Sequence, residues 1–448
     1  MKQEELIRKL SDSICVTTDI SKDIFTRMGV KRGLRNEDHS GVLAGLTRVG
    51  DVVGYERQPD GSLKPIPGKL YYRGIDVEDL VHGVQKENRL GFEETAFLVL
   101  SGSLPTKDEL ETFRRLLMNT MPLDHRSTMS ILSLKGKNIM NILARSVLDL
   151  YNFDETPDDI SRDNLIRQSI NLIAKFPPII AYAYQVLRHD QFGRSLHIRH
   201  PYEDRSVAEN FLFMMKGRDD YTELDIKILD LALILHAEHG GGNNSTFSVR
   251  VTSSTETDTY SAISSGIGSL KGPLHGGANI EVKHMLEDLK KNVRDWKSVK
   301  QVDEYLLKLM NKEVYDKKGL IYGIGHAVYT VSDPRAGLLK EMARDLAKEK
   351  NREDELALME LVEERALKIF KERKGKPTCI NVDFYSGFVY NALGLPEEVF
   401  TPLFAMARIV GWTAHRIEEM NFTSKRIIRP AYKNVREDSQ MFVPLDKR

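Results

Sequence analysis

The sequence is poor in cysteine and carries no net charge. Only Cys15 and Cys379 occur among its 448 residues, and neither lies in a CxxC or Cys/His spacing. A disulfide framework and a cysteine-ligated metal centre are therefore excluded. The 65 Lys and Arg residues balance 65 Asp and Glu residues, which leaves no global electrostatic basis for binding nucleic acid or an anionic membrane.

Long hydrophobic runs and targeting signals are also missing. The longest apolar stretches, such as LALILHA after Asp230, are too short to cross a bilayer. The N-terminus MKQEELIRKLSDSIC has early acidic residues and no apolar core typical of a targeting peptide. We therefore expect a cytoplasmic protein that meets any anionic ligand through local contacts, with neither nucleic acid nor membrane as a partner.

Helical periodicity dominates what is present. Between residues 355 and 371, apolar side chains recur at helical spacing and predict an amphipathic helix with a solvated charged face. Strand signals are few: DVVGY and GKLYYRG flank the turn-forming stretch QPDGSLKP, which predicts a small N-terminal β-hairpin. The fold class is mainly α, and the length favours two or three domains.

Three glycine-rich stretches each contain or adjoin a histidine. They are HGGGNN (239–244), GPLHGGAN (272–279) and GLIYGIGHAVY (319–329), in a chain with only 12 histidines. This coincidence predicts that the three stretches share a site.

His275 lies directly before a run of helical spacing at 282–289, for which Asn279 is the predicted N-cap. The positive end of a helix dipole disfavours the imidazolium, so His275 would stay neutral and could donate a hydrogen bond to an oxygen that gains negative charge. A plain glycine turn is an equally good interpretation of this motif alone. We expect His284, further along, to be solvated.

The other histidine stretches fit known catalytic motifs poorly. His236 and His239 are three apart, as in some metal sites, but Glu238 does not complete an HExxH motif. HGGG is similar to an esterase oxyanion loop, yet the chain has no GxSxG nucleophile elbow. GIGHAV is not a dinucleotide fingerprint, since Val328 replaces the third glycine. A substrate-binding His239 is the favoured interpretation.

Two arginines are expected to need an anionic partner. Asp333 and Pro334 are the predicted N-cap and first residue of a helix, which places Arg335 in the first turn near His326, against the dipole preference. Arg408 is enclosed by apolar neighbours in FAMARIVGW, so its guanidinium is predicted to be buried. A buried guanidinium needs a carboxylate or phosphate, from either an ion pair or a bound ligand.

Asp383 lies among apolar residues in NVDFYSGFVYNALGLP. From this segment alone we favour an N-cap over the alternative, a partly desolvated carboxylate that acts as a general base. A further arginine, Arg429, lies in an extended or turn context set by Pro430.

Taken together, these motifs resemble the citrate synthase family. EHGGGNNSTF, GPLHGGAN, GIGHAVYTVSDPR, VDFYSG, FAMARIVGW and RIIRP occur in the family's order, and GKLYYRGIDVEDLV and FEETAFLVLSGSLPTKDEL also match. The resemblance extends from Leu43 to Pro430 and leaves the first forty residues unassigned. It implies a two-domain, mainly helical fold in which residues 1–275 and 389–448 form a large domain and residues 276–388 a small one.

The resemblance also implies roles for the unusual residues. The family condenses acetyl-CoA with oxaloacetate and hydrolyses citryl-CoA to citrate and CoA. By this resemblance Asp383 is the base, His275 stabilises the enolate, and His326 polarises the ketone of oxaloacetate. Substrate would be bound by His239, Asn243, Arg335, Arg408 and, from the partner subunit of a homodimer, Arg429. The segment that binds coenzyme A would include Gly319, Leu320, Ile321, Gly323 and Gly325. No metal and no permanently bound cofactor are expected, because acyl-CoA is a co-substrate.

Two departures and three alternatives remain. Gly240 stands where the family often has an acidic residue, and Ala431 where many bacterial members have arginine. One extra methylene changes binding only modestly, so a 2-methylcitrate synthase that uses propionyl-CoA is the nearest alternative. The others are a helical metallohydrolase that uses His236, His239 and His275, and a non-catalytic helical scaffold.

Overall fold

The computed structural model describes residues 2–36, 40–218, 220–375, 377–436 and 441–447. These ranges hold eighteen α-helices, three β-strands and four short 3₁₀ turns. None of the helices in them is long and apolar enough to cross a membrane. The predicted mainly helical fold class is confirmed.

The N-terminal part of the chain is exposed and leads into a small sheet. Helices α1 (Gln3–Thr17) and α2 (Lys22–Arg27) bury no residue. Strands β1 (Gly50–Arg57), β2 (Leu63–Tyr72) and β3 (Ile75–Asp76) then form an antiparallel sheet in that order. The predicted β-hairpin is confirmed, with β3 as an additional strand.

The helices that follow build most of the core. They are α3 (Val77–Lys86), α4 (Phe92–Ser101), α5 (Lys107–Thr120), α6 (His125–Ser133), α7 (Ile139–Leu150), α8 (Arg162–Phe192), α9 (Val207–Lys216), α10 (Glu223–His236), α11 (Asn244–Ser253) and α12 (Thr259–Leu270). Helix α18 (Phe400–Met420) returns into this group and packs against α4, α7, α8, α10, α11 and α12. It is therefore apolar on nearly all sides and almost wholly buried.

A second group of helices lies between α12 and α18 in the sequence. It comprises α13 (Ala278–Asn292), α14 (Val299–Met310), α15 (Pro334–Glu349), α16 (Glu353–Lys374) and α17 (Asp383–Ala392). Within the group α13 and α15 pack on α17, and α14 and α15 pack on α16; α15 also contacts α3, α10 and β2. The predicted amphipathic helix at 355–371 is confirmed as part of α16.

One local prediction in α13 is wrong, and a second is confirmed only in part. The backbone N–H groups of His275 and Gly276 bond to Gly272 O, at 2.9 and 3.2 Å, which closes a turn and lets the helix begin at Ala278 with Gly277 as N-cap. Asn279 therefore lies buried inside the first turn and is not the cap. His284 is not simply solvated either, because its Nε2 lies 3.0 Å from a carboxylate oxygen of Glu397.

Candidate active site

Tyr329 contacts the side chains that form one half of the site. Its buried ring stacks on His326 with ring centroids 4.5 Å apart, and it lies 5.8 Å from the ring of His239. The guanidinium carbon of Arg335 lies 6.0 Å from the centre of the same ring. His239 follows α10 and Arg335 belongs to the first turn of α15, so Tyr329 joins side chains from separate parts of the chain.

Phe404, on α18, gathers the other half. Its ring centroid lies 4.6 Å from that of His236, at the end of α10, and 6.4 Å from that of His275, in the turn before α13. The guanidinium carbon of Arg408, one turn further along α18, lies 4.9 Å from the same ring. The three glycine-rich stretches were predicted to share a site. Their histidines lie in two clusters, with His239 and His326 beside Tyr329 and His275 beside Phe404.

His239 and His326 contact each other directly, with their Nε2 atoms 3.0 Å apart. Nδ1 of His326 accepts the backbone N–H groups of Val328 and Tyr329, at 3.1 and 3.0 Å. The ring proton of His326 therefore lies on Nε2 and is donated to His239. Nδ1 of His239 is buried and has no hydrogen-bond partner among the described residues.

The segment that carries His326 pairs with the segment before α17. The N–H of Gly325 donates to the carbonyl of Cys379 at 2.7 Å, and the side-chain amide of Asn381 donates to the carbonyl of Gly325 at 2.9 Å. The amide oxygen of Asn381 also accepts the N–H of Asp383 at 3.1 Å. This pairing holds the start of α17 beside the loop of His326.

Asp383 is the first residue of α17, and Val382 precedes it as N-cap. The N-cap assignment for Asp383 is therefore wrong: Asn381 already accepts its N–H, and the helix begins at Asp383. No hydrogen bond between the half-buried carboxylate and another described residue is present. Burial raises the pKa of Asp383 to about 6, against the opposing attraction of Arg335. These are the properties of a carboxylate that can accept a proton near neutral pH.

His275 contacts a small polar network. Its Nε2 lies 3.1 Å from the hydroxyl of Ser245, which accepts the indole N–H of Trp412 at 3.1 Å and lies 2.9 Å from the amide oxygen of Asn243. Burial, reinforced by the charge of Arg408, lowers the pKa of His275 to about 4. The imidazole is thus neutral near pH 7, but the cause is burial and the charge of Arg408, whereas the sequence prediction relied on the helix dipole.

Arg408 is fully buried, as predicted. Its Nε donates to the carbonyl of His236 at 2.8 Å, whereas Nη1 and Nη2 are buried and have no hydrogen-bond partner among the described residues. Burial lowers the pKa of Arg408 to about 10. A buried guanidinium with two open nitrogens is costly unless an anion completes its hydrogen bonds.

Arg335 is also buried, but it is already paired. Its Nε and Nη2 donate to the two carboxylate oxygens of Asp333, at 3.0 and 2.7 Å. Asp333 is the N-cap of α15 and Pro334 its first residue, as predicted. Asp333 therefore both caps α15 and pairs with Arg335, and the sequence did not predict this pairing.

Arg429 lies exposed in the extended segment after α18. The N–H of the preceding residue, Ile428, donates to the hydroxyl of Ser254 at 3.0 Å, which anchors this segment at the end of α11. Within this chain, no contact places Arg429 beside the described histidines.

The segment predicted to meet coenzyme A is irregular. Gly319, Gly323 and Gly325 have φ values of 78°, 78° and 97°, which favour glycine. The side chain of Leu320 is exposed, and that of Ile321 is buried in the core. Gly325 is paired with the segment before α17, so the exposed part of this loop is its start, around Leu320.

Sequence reasoning missed the groups that organise the site. Tyr329, Phe404, Ser245 and Trp412 position the predicted residues, but an aromatic or hydroxyl residue in an apolar stretch is most often simply part of the core. Their proximity in sequence to His326, Arg408 and Asn243 was the only available signal.

The three histidines of the metallohydrolase alternative do not converge on a metal position. Nδ1 of His236 lies 2.7 Å from the carbonyl of Ala232, and Nε2 of His239 contacts His326. Within the described ranges, no group of three His, Cys, Asp or Glu side chains could hold a metal ion.

Comparison with known protein families gives an independent result. The family described as "Citrate synthase, C-terminal domain" matches residues 38–431. The citrate synthase of Acidithiobacillus ferridurans is 38% identical over 389 residues, which cover 85% of this chain and 93% of that protein. The 2-methylcitrate synthase 1 of Corynebacterium glutamicum is 35% identical over 429 residues, covering 94% and 98% of the two chains.

A solved structure has a similar fold. It is the ternary complex of carboxymethyl coenzyme A and oxaloacetate with citrate synthase from Thermoplasma acidophilum. The TM-score is 0.75 and the sequence identity 27%, over 90% of this chain and 97% of that one.

Proposed function

This chain belongs to the citrate synthase family, and we propose that it condenses acetyl-CoA with oxaloacetate and hydrolyses citryl-CoA to citrate and CoA. The observation that carries the proposal is the buried guanidinium of Arg408, whose Nη1 and Nη2 lack a partner among the described residues. A carboxylate of oxaloacetate supplies the missing acceptors through a bidentate pair.

In the first step Asp383 removes a proton from the methyl group of acetyl-CoA, and the electron pair of that C–H bond forms the enolate. The raised pKa of Asp383, about 6, brings its basicity closer to that of the weak carbon acid. His275 donates a hydrogen bond to the enolate oxygen. In the free site the hydroxyl of Ser245 donates its proton to the amide oxygen of Asn243. When Asn243 turns to oxaloacetate, this hydroxyl donates instead to Nε2 of His275, so that the ring proton lies on Nδ1 and is available to the enolate oxygen.

His326 activates the second substrate. The two backbone N–H groups that bond to its Nδ1 hold its proton on Nε2, where it now faces His239. Burial and the charge of Arg335 lower the pKa of His326 to about 4, so the ring is neutral. Nε2–H donates to the ketone oxygen of oxaloacetate and transfers its proton as the enolate carbon attacks the carbonyl carbon.

The remaining polar groups hold the substrates. Asp333 occupies Nε and Nη2 of Arg335, so we assign Nη1 to a carboxylate of oxaloacetate. His239 and Asn243 contact the same molecule, and Arg429 of the partner subunit completes the site in a homodimer.

We assign coenzyme A to the loop that contains Gly319, Leu320, Ile321, Gly323 and Gly325, where the positive-φ glycines shape the backbone. Residues 276–388 form the small domain in this proposal, and residues 1–275 and 389–448 the large one. Both cysteines are free thiols, which supports the proposed cytoplasmic location.

A second candidate is 2-methylcitrate synthesis from propionyl-CoA, which is favoured by the 35% identity to a 2-methylcitrate synthase over 94% of this chain. The test is the rate of thiol release from acetyl-CoA and from propionyl-CoA at saturating oxaloacetate. We expect faster turnover with acetyl-CoA; a clear preference for propionyl-CoA assigns the second candidate. Turnover that requires a metal ion and stops with a chelator would support the metallohydrolase instead.

A further inference from the structure

A buried chain of charged and polar side chains lies behind the arginine and histidine residues of the site. Glu238 is fully buried, and its Oε1 accepts hydrogen bonds from Nε2 of His415, at 2.8 Å, and from the N–H of Gly240, at 2.5 Å. Nδ1 of His415 lies 2.7 Å from Nη2 of Arg250, which can only donate. The proton of His415 therefore lies on Nε2 and is donated to Glu238. Arg250 is in turn paired with Glu419 at 2.7 Å.

The second oxygen of Glu238 has no hydrogen-bond partner among the described residues, and neither have Nη1 and Nη2 of Arg408. The two side chains lie near each other, because a Cβ atom on Gly411 would lie 2.2 Å from Oε2 of Glu238 and 3.4 Å from Cδ of Arg408. Burial acts to raise the pKa of Glu238, but the attraction of His415 and Arg408 outweighs it and lowers the value. A free carboxylate beside a buried guanidinium would form a bidentate pair with it. Here no hydrogen bond joins them.

The surrounding backbone leaves space for this arrangement. A Cβ atom on Gly411 would lie 2.2 Å from Oε2 of Glu238, and one on Gly50 would lie 2.8 Å from its Oε1. Because both positions are glycine, no side-chain carbon clashes with either carboxylate oxygen, and the carboxylate can lie beside α18. The position of Glu238 is thus set from several sides.

We propose that Glu238 is a positioning residue that balances the charge of Arg408 without forming a hydrogen bond to its Nη1 or Nη2. His415, held by Arg250, keeps the carboxylate turned away, so that Nη1 and Nη2 of Arg408 remain open to a carboxylate of the ligand. The counter-charge lowers the cost of the buried guanidinium before the ligand binds. This inference rests on the proposed function, in which that ligand is oxaloacetate.

The first test compares His415→Asn with His415→Gln. The amide nitrogen of Gln reaches nearly to the position of Nε2 and can still hold Glu238, whereas the shorter Asn cannot. In H415N the released carboxylate turns onto Arg408 and competes with the substrate. We expect the KM for oxaloacetate to rise about tenfold, as for the loss of a hydrogen bond to a charged group, with kcat and the KM for acetyl-CoA changed less than about twofold. H415Q should stay within about twofold of the parent chain in all three constants.

Adding Glu238→Gln to H415N provides the decisive cross-check. If the released carboxylate blocks Arg408, the double variant recovers most of the oxaloacetate affinity and the two changes are strongly non-additive. A merely structural His415 would instead lower kcat and weaken both substrates together, without rescue by E238Q, and that result overturns the inference.

Glu238→Gln alone keeps the test decisive if H415N does not fold. Gln has the shape of Glu, but it removes the counter-charge, so the uncompensated Arg408 recruits small anions from solution. We expect competitive inhibition by inorganic phosphate against oxaloacetate to strengthen about tenfold, and unchanged inhibition contradicts the inference. A parent chain that neither binds oxaloacetate in calorimetry nor turns it over refutes the proposed function, whereas an active parent with an unaltered H415N refutes only the role of Glu238.

Discussion

Burial sets the charge of each proposed reacting group in the site. It lowers the pKa of His275 and of His326 to about 4, so both rings are neutral throughout the range in which the protein would operate. It raises the pKa of Asp383 to about 6. The same desolvation thus provides two uncharged hydrogen-bond donors and one carboxylate of increased basicity.

The first prediction concerns the pH dependence of turnover. The proposed base must be ionised, so kcat/KM for acetyl-CoA should fall about tenfold per pH unit below a pKa near 6, as measured by thiol release in buffers of constant ionic strength. Asp383→Asn should lower kcat by about 10² to 10⁴-fold. The exposed control Asp345→Asn, on α15, should change neither quantity, and an undiminished D383N rules out Asp383 as the base.

The second prediction is that D383N stabilises the protein at high pH. Because the pKa of Asp383 is higher in the folded than in the unfolded state, ionisation of this carboxyl group destabilises the folded protein. The parent chain therefore has its full stability below pH 3.8 and loses part of it as the pH rises through about 6. D383N removes this cost, so its free energy of unfolding should exceed that of the parent by roughly 1 to 3 kcal/mol at pH 8 and match it near pH 3.5. Urea unfolding at the two pH values checks this, and an equal gain at both would contradict the titration argument.

The third prediction compares two buried arginines on α18. Arg408→Lys loses the bidentate fork, so the KM for oxaloacetate should rise roughly tenfold to a hundredfold. Arg416 is also buried, but its guanidinium bonds to Thr259, Ser253 and Thr257. Arg416→Lys should therefore lower the melting temperature and leave that KM unchanged; equal effects on KM would argue against a ligand at Arg408.

At the scale of elements, the site depends on how closely α18 approaches the end of α10. The N–H of Gly411 donates to the carbonyl of Ala237 at 3.1 Å, and a Cβ at this position would lie 2.6 Å from that same oxygen. The close contact brings Arg408 against the carbonyl of His236, and it also confines Glu238. A glycine inside a long buried helix is thus required by packing rather than by its own conformation.

The fourth prediction follows from this contact. Gly411→Ala should destabilise the fold by about 1 to 3 kcal/mol through overpacking and should also weaken oxaloacetate binding. Gly337→Ala is the matched control, because this glycine lies within α15 and its Cβ would meet nothing within 4 Å. That variant should stabilise the helix by up to about 1 kcal/mol. Urea midpoints measure both, and a neutral G411A would show that α18 can shift without cost.

At the scale of the whole molecule, apolar groups near the C-terminus remain uncovered. Tyr432, Met441 and Leu445 are 94%, 89% and 79% exposed. Exposed apolar surface of this kind is typical of a contact with another subunit, and Arg429 lies in the same segment. These features support the proposed homodimer, in which Arg429 crosses to the partner.

The fifth prediction tests this crossing by subunit complementation. Homodimers of D383N and of Arg429→Gln should each be nearly inactive. A dimer with one subunit of each kind contains one site with both native residues, so dissociating and reassociating an equal mixture should restore about a quarter of the parent activity. No recovery, despite mixed dimers detected by native mass spectrometry, would place Arg429 in its own subunit's site, and an active Arg429→Gln homodimer would place it outside any site.

Local patterns were sufficient for several parts of the structure. Helical periodicity predicted α16, two strand-forming stretches around a Pro-Asp-Gly turn predicted the hairpin, and the apolar surroundings of Arg408 predicted its burial. Each of these depends on residues within a few turns of one another. The assigned roles of the site residues stay predictions until the variants above are measured.

The sequence by itself determined the helical class and the buried guanidinium, since these follow from local spacing and composition. Only the tertiary structure decided that Asp383 is not a helix cap, that Asp333 holds Arg335, and that Glu238 contacts His415, 177 positions away. The physical reason is that a side chain's partner, and with it its charge and hydrogen bonding, depends on which distant segments pack against it.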